Sequence, residues 1–290
     1  MGKDAFTKKW IIDNSVDICQ EYEYGVLTLR ALHYQLVGLG MTNDIQHYKR
    51  VVAAMIDARW DNTISFDQFS DLDRQMIGET AHEETNLESE IDLGKRQIIA
   101  WMNNYKKNRW ENQPVYPEVL IEKKALQGVF APICQEWNIS LGACKGYPSL
   151  TFLNEMYKRM SSIDDDKEII ILYFGDYDPS GEDIPRSIVE NLSRFGIEVD
   201  LRRIALMKSQ VIKWKLPPAP AKSTDSRTAN WDGLGQVELD AVRPEMLREL
   251  IEDSIKSIFN HDLFSYLMES EKVEKNIYQD ELKQYVLGLK

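Results

Sequence analysis

The segment 168–183, EIIILYFGDYDPSGED, constrains this chain more than any other. Its first seven residues are apolar almost without a break and do not alternate with polar ones. Such a run reads as a strand buried on both faces, the mark of a parallel sheet covered by helices. Asp176 and Asp178 follow at once, flanking Tyr177, and lead into the turn-forming Pro179-Ser180-Gly181. In parallel sheets the chemistry gathers at the carboxyl ends of the strands. The two aspartates therefore leave a buried strand where a site is expected.

The flanking sequence repeats the strand–helix alternation. VLIE, ending at Glu122, reads as a strand and KKALQGVFAPICQEW as the helix after it. NISLGAC is a second strand, joined through KGYP to the helix SLTFLNEMYKRM. After the buried strand, GEDIPRSIVENLSRFG is a helix with Ser180 as its cap, and IEVDLRRIAL is a fourth strand. Alternation of this kind predicts an α/β fold, a parallel sheet flanked by helices with right-handed crossovers. Glu122 and Asp176 both fall at strand ends.

The first 70 residues read differently. Leu29, Leu32 and Leu36 form a helical core stripe, and Gly38 and Gly40 break the helix. Thr42 or Asn43 is available to cap a second helix near 44–60, with Ile45, Tyr48, Val52, Met55 and Ile56 on one face. TISFDQF follows as a short strand pair or wing. Helix, glycine turn, helix and wing make an N-terminal winged-helix (helix-turn-helix) pattern. Lys49 and Arg50 lie away from the apolar stripe, where they could meet DNA.

Charge marks the joins. Residues 79–92 carry six acids and no Lys or Arg, whereas 93–124 carry seven basic residues against three acids. This shift predicts a partly helical connector docked through Trp101 and Trp110. The expected divisions are a winged-helix domain at 1–75, a helical connector at 76–112, the α/β domain at 113–210, and a C-terminal loop and helical extension at 211–290 packed on the α/β domain. The prolines and small polar residues of LPPAPAKSTDSR forbid regular structure at 216–227.

Composition narrows the class. Hydrophobic residues make up 43% and charged residues 28%, as in a folded domain with a substantial core. No apolar run approaches the roughly 18 residues of a membrane span, and MGKDAFTKKW lacks a signal core, so a cytoplasmic protein is expected. Three cysteines without a CxxC pair read as reduced thiols. The net charge of −12 argues against indiscriminate nucleic-acid binding but leaves room for a local basic surface.

Glu122, Asp176 and Asp178 together would form a three-carboxylate cluster. Crowded carboxylates raise one another's pKa unless a cation neutralises them, and oxygen ligands select Mg²⁺ or Mn²⁺. The plain alternative makes Asp176 and Asp178 turn residues and Glu122 a helix cap. A strand-ending glutamate, a further βα unit, and a buried strand ending in DxDPSG resemble the Toprim domain of topoisomerases, primases and nucleases. Glu122, Asp176 and Asp178 match its acids in order and approximate spacing, and the resemblance covers most of 115–210.

The segment TLRALHY, residues 28–34, resembles the winged-helix motif of the topoisomerase VI A subunit and the meiotic double-strand-break protein. Arg30 and Tyr34 match its arginine and its nucleophilic tyrosine, while His33 replaces the usual aromatic. Arg59 resembles a basic position before the wing, and VELDAV (237–242) resembles a segment after the Toprim domain. On an ideal helix Tyr34 lies roughly 160° from the leucine stripe, on the face of Arg30. There it could reach a phosphate, or pack against a second element.

The resemblance implies magnesium-dependent cleavage of double-stranded DNA. Tyr34 would attack a phosphate, Arg30 and Arg59 would stabilise charge, and Glu122, Asp176 and Asp178 would hold the metal. In that family the tyrosine works with the metal site of the other protomer, implying a homodimer. No Gly-rich nucleotide loop is present, so strand passage would need a separate ATPase subunit. A Toprim nuclease using water, as in mobile-element or defence proteins, suits the shorter chain; a non-catalytic DNA-binding subunit is the third possibility. Lys145 in CKGYP is the strongest further phosphate contact, because Gly146 permits close approach. Lys123 and Lys124 are weaker candidates, and the four histidines are too scattered for a metal site.

Overall fold

The apolar run at 168–174 forms one of the two central strands of a four-stranded, all-parallel sheet. The computed structural model describes residues 5–22, 25–71, 86–164, 166–218 and 235–288. In chain order the helices are α1 (Lys8–Gln20), α2 (Leu29–Gly38), α3 (Ile45–Trp60) and α4 (Leu87–Asn103), followed by strand β1 (Val115–Ile121). Next come α5 (Gln127–Glu136), β2 (Ser140–Ala143), α6 (Leu150–Met160), β3 (Glu168–Phe174) and α7 (Pro179–Arg194). β4 (Asp200–Ala205), α8 (Lys208–Trp214), α9 (Pro244–Ile258) and α10 (His261–Gly288) complete the set.

The chain divides into two compact units. One comprises Met1–Arg74 and Val115–Ser257, and the other Gln75–Pro114 and Ile258–Lys290. The segments expected as separate N-terminal and α/β domains thus share one unit, and residues 258–290 group with the expected connector.

In the larger unit the strand order is β2-β1-β3-β4. Register runs Val119↔Leu172 and Ile121↔Phe174 between the central strands, so Glu122 and Asp176 emerge side by side. Leu120, Ile171 and Tyr173 pack with Leu153 and Met156 of α6 and with Ile184, Ile188 and Leu192 of α7. The spacing of the α7 residues, i, i+4 and i+8, is that of a buried helical face. Phe130 of α5 packs edge-on against Phe174 at 4.8 Å. This is a mixed α/β protein with helices around a parallel sheet.

The N-terminal segment supplies three helices to the same unit. Asp44 caps α3 through its bond from His47 N (2.7 Å), not Thr42 or Asn43. Among the described residues TISFDQF forms no strand pair. Ser65 caps a 3-10 turn over Phe66–Gln68 instead, and Gln68 is anchored to the carbonyls of Cys19 and Tyr22. Among the described residues only Phe69 of this segment pairs, in a single bridge with Leu27. Likewise Asp178, not Ser180, caps α7, leaving Pro179 at the first helical position where its missing N–H costs nothing.

In the smaller unit Trp110 is buried against Phe259 at 5.2 Å, as a docking residue would be. Trp101 is 53% exposed, contrary to the expectation that it docks, because α4 buries no side chain. No described helix is long and apolar enough to cross a membrane. His82 and residues 219–227 of the proline-rich segment lie outside the described residues.

Candidate active site

Glu122 and Asp176 leave adjacent strands at their carboxyl ends. Glu122 N donates to Phe174 O (2.8 Å), extending the ladder by one residue, and Asp176 N donates to Glu122 Oε2 (2.9 Å). The Tyr173 hydroxyl also donates to Glu122 Oε2, at 3.3 Å. A Cβ at Gly181 would lie 2.3 Å from Asp176 O and 3.2 Å from Glu122 Oε2. Only glycine fits there, which explains the last residue of DPSG. Arg203 of β4 ties the turn together, donating to the carbonyls of Asp176 (2.7 Å) and Gly181.

The segment following the proline-rich stretch completes the site. Tyr177 and Val237 exchange backbone hydrogen bonds, Tyr177 N to Val237 O at 2.8 Å and the reverse at 2.9 Å. This antiparallel bridge lays VELDAV beside the DxD turn, and Leu239 N donates to Asp176 Oδ1 (2.7 Å). Glu238 and Asp240 are thereby delivered to Lys123. The Lys123 ammonium donates to Glu238 Oε2 at 2.7 Å and Asp240 Oδ1 at 2.8 Å, and lies 3.3 Å from Asp176 Oδ2.

Glu238 then reaches the N-terminal helices. Arg30 Nη2 donates to Glu238 Oε1 (3.1 Å) and to the Tyr34 hydroxyl (3.0 Å). The Arg30 guanidinium stacks over the rings of both Tyr34 and Tyr48, at 5.0 and 5.3 Å. Two predicted half-sites, Arg30/Tyr34 and Glu122/Asp176, are therefore joined through Glu238 and Lys123.

Acidities in the network diverge. Burial raises the pKa of Glu122, and the charge of Asp178 adds to the effect. Burial also lifts Asp176 to about 7, with Glu122 reinforcing it against the pull of Lys123. Asp240 is raised by burial despite Lys123. Partial burial opposes charge on Glu238, yet Lys123 and Arg30 hold it down at about 2. Burial opposes charge on Lys123, but Asp240, Asp176 and Glu238 keep it firmly protonated.

Tyr34 is 2% exposed, and its helix α2 packs against the 3-10 turn Leu239–Ala241. Burial, then Glu238 and Asp240, push its pKa well above the ordinary phenol value. His33 is fully buried with its ring 6.0 Å from Tyr34 and 5.6 Å from Tyr48, so it fills an aromatic place. Burial, then the Arg30 charge, lower its pKa to about 4, keeping it neutral.

Beside this network opens a cleft of about 470 Å³ lined by Arg30, Arg59, Thr28, Tyr48, Phe69 and Asp240, among others. Arg59 donates to Met55 O (3.0 Å) and stacks over Phe69 at 5.3 Å. Arg50 donates to Phe6 O, which ties it to the segment before α1. Lys49 and Lys145 are exposed. The Lys145 N–H donates to Glu122 O (2.9 Å), so the KGYP turn, with Lys145 and Gly146 both left-handed, sits against the acidic end of β1.

Among the described residues no three acidic, histidine or cysteine side chains converge as a ready metal cage. Asp178 is engaged as the α7 cap, accepting from Gly181 N at 2.6 Å. The donor chemistry nonetheless fits a hard divalent cation. Among the described residues Glu122, Asp176, Glu238 and Asp240 share Lys123 and Arg30, four carboxyl groups to two cations, and all donors are oxygens. Sequence reasoning missed Glu238, Asp240 and Arg203. The i, i+2 acids of VELDAV were the visible signal for the first two; Arg203 acts only through backbone carbonyls and left none. No family model, curated protein or solved structure matches the chain.

Proposed function

We propose that this chain cleaves DNA by metal-dependent phosphodiester chemistry, in the manner its resemblance to the topoisomerase VI A subunit implies. The observation that carries the reading is the single network joining Arg30 and Tyr34 to Glu122 and Asp176. On this reading the N-terminal helices act as a winged-helix-type DNA-binding element and the strand-end acids as a Toprim-type site. Arg30 and Arg59, both lining the cleft with the Thr28 hydroxyl, suit a backbone phosphate. Glu122 and Asp176, with Asp178, would hold Mg²⁺ or Mn²⁺, which supplies Lewis-acid stabilisation of the phosphate and leaving oxygen. Lys49, Arg50 and Lys145 are proposed DNA contacts, a homodimer is the proposed working state, and strand passage would require a separate ATPase subunit.

For Tyr34 to act as nucleophile, its hydroxyl must exchange Arg30 for a phosphate and lose a proton that burial retains. That observation favours a second reading in which water attacks and Tyr34 positions Arg30. Incubating supercoiled plasmid with Mg²⁺ or Mn²⁺ and quenching in denaturant separates the two. Protein-linked nicked or linear DNA lost in Tyr34→Phe supports the transesterase; free cleavage retained in Tyr34→Phe and lost in Asp176→Ala supports the hydrolase. Wild-type protein that leaves plasmid intact with either metal, alone and with an ATPase subunit added, overturns both.

A further inference from the structure

Helix α4 buries none of its residues, although it is strongly two-sided. Leu87, Ile91, Gly94, Ile98 and Trp101 recur at intervals of four, three, four and three, the spacing of a coiled-coil seam. At about 100° per residue these five positions fall within roughly 80° of one another. The four large ones are 74%, 48%, 45% and 53% exposed. An apolar stripe of this regularity on a helix needs a covering partner, because otherwise about 25 Å of helix holds it against water.

The stripe reads nearly the same in both directions. With a twofold axis at Gly94, Leu87 falls level with Trp101 of a second copy, and Ile91 within one residue of the copy's Ile98. A Cβ at Gly94 would meet nothing within 4 Å, so the centre of the stripe is a gap that permits close helix approach. Charge specifies the same orientation. Of the charges that flank the stripe, Glu88 and Glu90 lie in the first half of α4 and Lys95 in the second. Antiparallel pairing sets acidic half against basic half; parallel pairing sets acids against acids.

We propose that α4 is a dimerisation helix that pairs antiparallel with α4 of a second copy of this chain about Gly94. The inference does not rest on the DNA-cleavage reading, since the seam lies outside the candidate active site. One helix pair is small for a permanent interface. The dimer is therefore concentration-dependent, exchanging with monomer.

Sedimentation equilibrium of the full chain, without DNA or metal, tests this. The weight-average mass is expected to rise from one chain toward two with concentration, and the double variant Ile91→Asp/Ile98→Asp to stay monomeric with unchanged helical circular dichroism. Mild oxidation supplies a test that does not depend on weakening the helix. The native cysteines are all buried. Chains bearing Leu87→Cys should cross-link with chains bearing Trp101→Cys far more than either does with itself, whereas Asp92→Cys, on the opposite face, should not cross-link. A wild-type chain monomeric at all concentrations overturns the proposal. So does a dimer that survives the double variant, or one in which Leu87→Cys chains cross-link mainly with each other.

Discussion

Glu238 and Asp176 both lie against the Lys123 ammonium, yet their acidities move in opposite directions. Glu238 accepts from Lys123 and Arg30 and is held at about 2; Asp176 has Lys123 at 3.3 Å, faces Glu122, and rises to about 7. Burial penalises both charges. What separates them is the count of cations each carboxylate meets. The N-terminal helices supply the second cation to Glu238, while the strand ends supply Asp176 with another acid. The DxD side of the network is thus the side with fewer cations per carboxylate.

The contrast should collapse when its shared cation is removed. Lys123→Met leaves Asp176, Asp240 and Glu238 crowded with Arg30 as their remaining counter-ion. Stripping one partner from a buried charge set costs about 3–5 kcal/mol, which urea unfolding at pH 7 would read. A loss below about 1 kcal/mol would show that the acids relax into water and that the network is not held by Lys123.

Titration sharpens the same comparison. With its folded pKa raised, Asp176 keeps its proton in the native state between about pH 4 and pH 7 while the unfolded chain has lost its own. Native protein then binds more protons, so this group's contribution to stability falls as pH rises through that window, by on the order of 2–4 kcal/mol. Glu238 acts in the opposite sense: its contribution is present above the ordinary carboxylate range and is lost as pH falls toward 2. Asp176→Asn should flatten the first slope in pH-dependent urea unfolding without touching the second. An unchanged slope would assign it to another group.

Tyr34→Phe should cost less, about 1 kcal/mol, because Arg30 keeps Glu238 when it loses the phenol. The smallest effect is expected from His33→Phe, below about 1 kcal/mol at pH 7, since the ring already serves as a buried aromatic. Its sign carries information. Folded His33 stays neutral down to about 4, so wild-type stability is eroded as pH falls through the ordinary imidazole range, and the phenylalanine variant should gain relative stability at pH 5. Thermal unfolding at pH 7 and pH 5 checks both statements.

Much of the α/β region was legible because each element there follows from local pattern. The unalternating run at 168–174, the periodic apolar face of α7 and the strand-ending Glu122 each report burial directly. Caps were less legible. Asp178 and Asp44 outcompeted their neighbours because each carboxylate reaches the first free N–H groups of its helix from an extended residue, geometry that composition does not encode. Residues 66–68 of the expected strand pair form a 3-10 turn for a tertiary reason, since Gln68 donates to two carbonyls near the end of α1.

Sequence by itself determined the parallel sheet, the order of its strand–helix units, and the placing of Glu122 and Asp176 at strand ends, because hydrophobic periodicity and strand polarity are local properties. Tertiary structure decided what those acids meet. Glu238 and Asp240 lie more than 110 residues from Lys123, and Glu238 lies 208 from Arg30, separations over which no sequence spacing predicts contact. Whether Tyr34 faces solvent or the interior was likewise decided by packing: α2 lies against the 3-10 turn Leu239–Ala241, and Tyr34 is buried. A helix fixes the direction in which a side chain points, but only the packing of distant segments fixes what stands there.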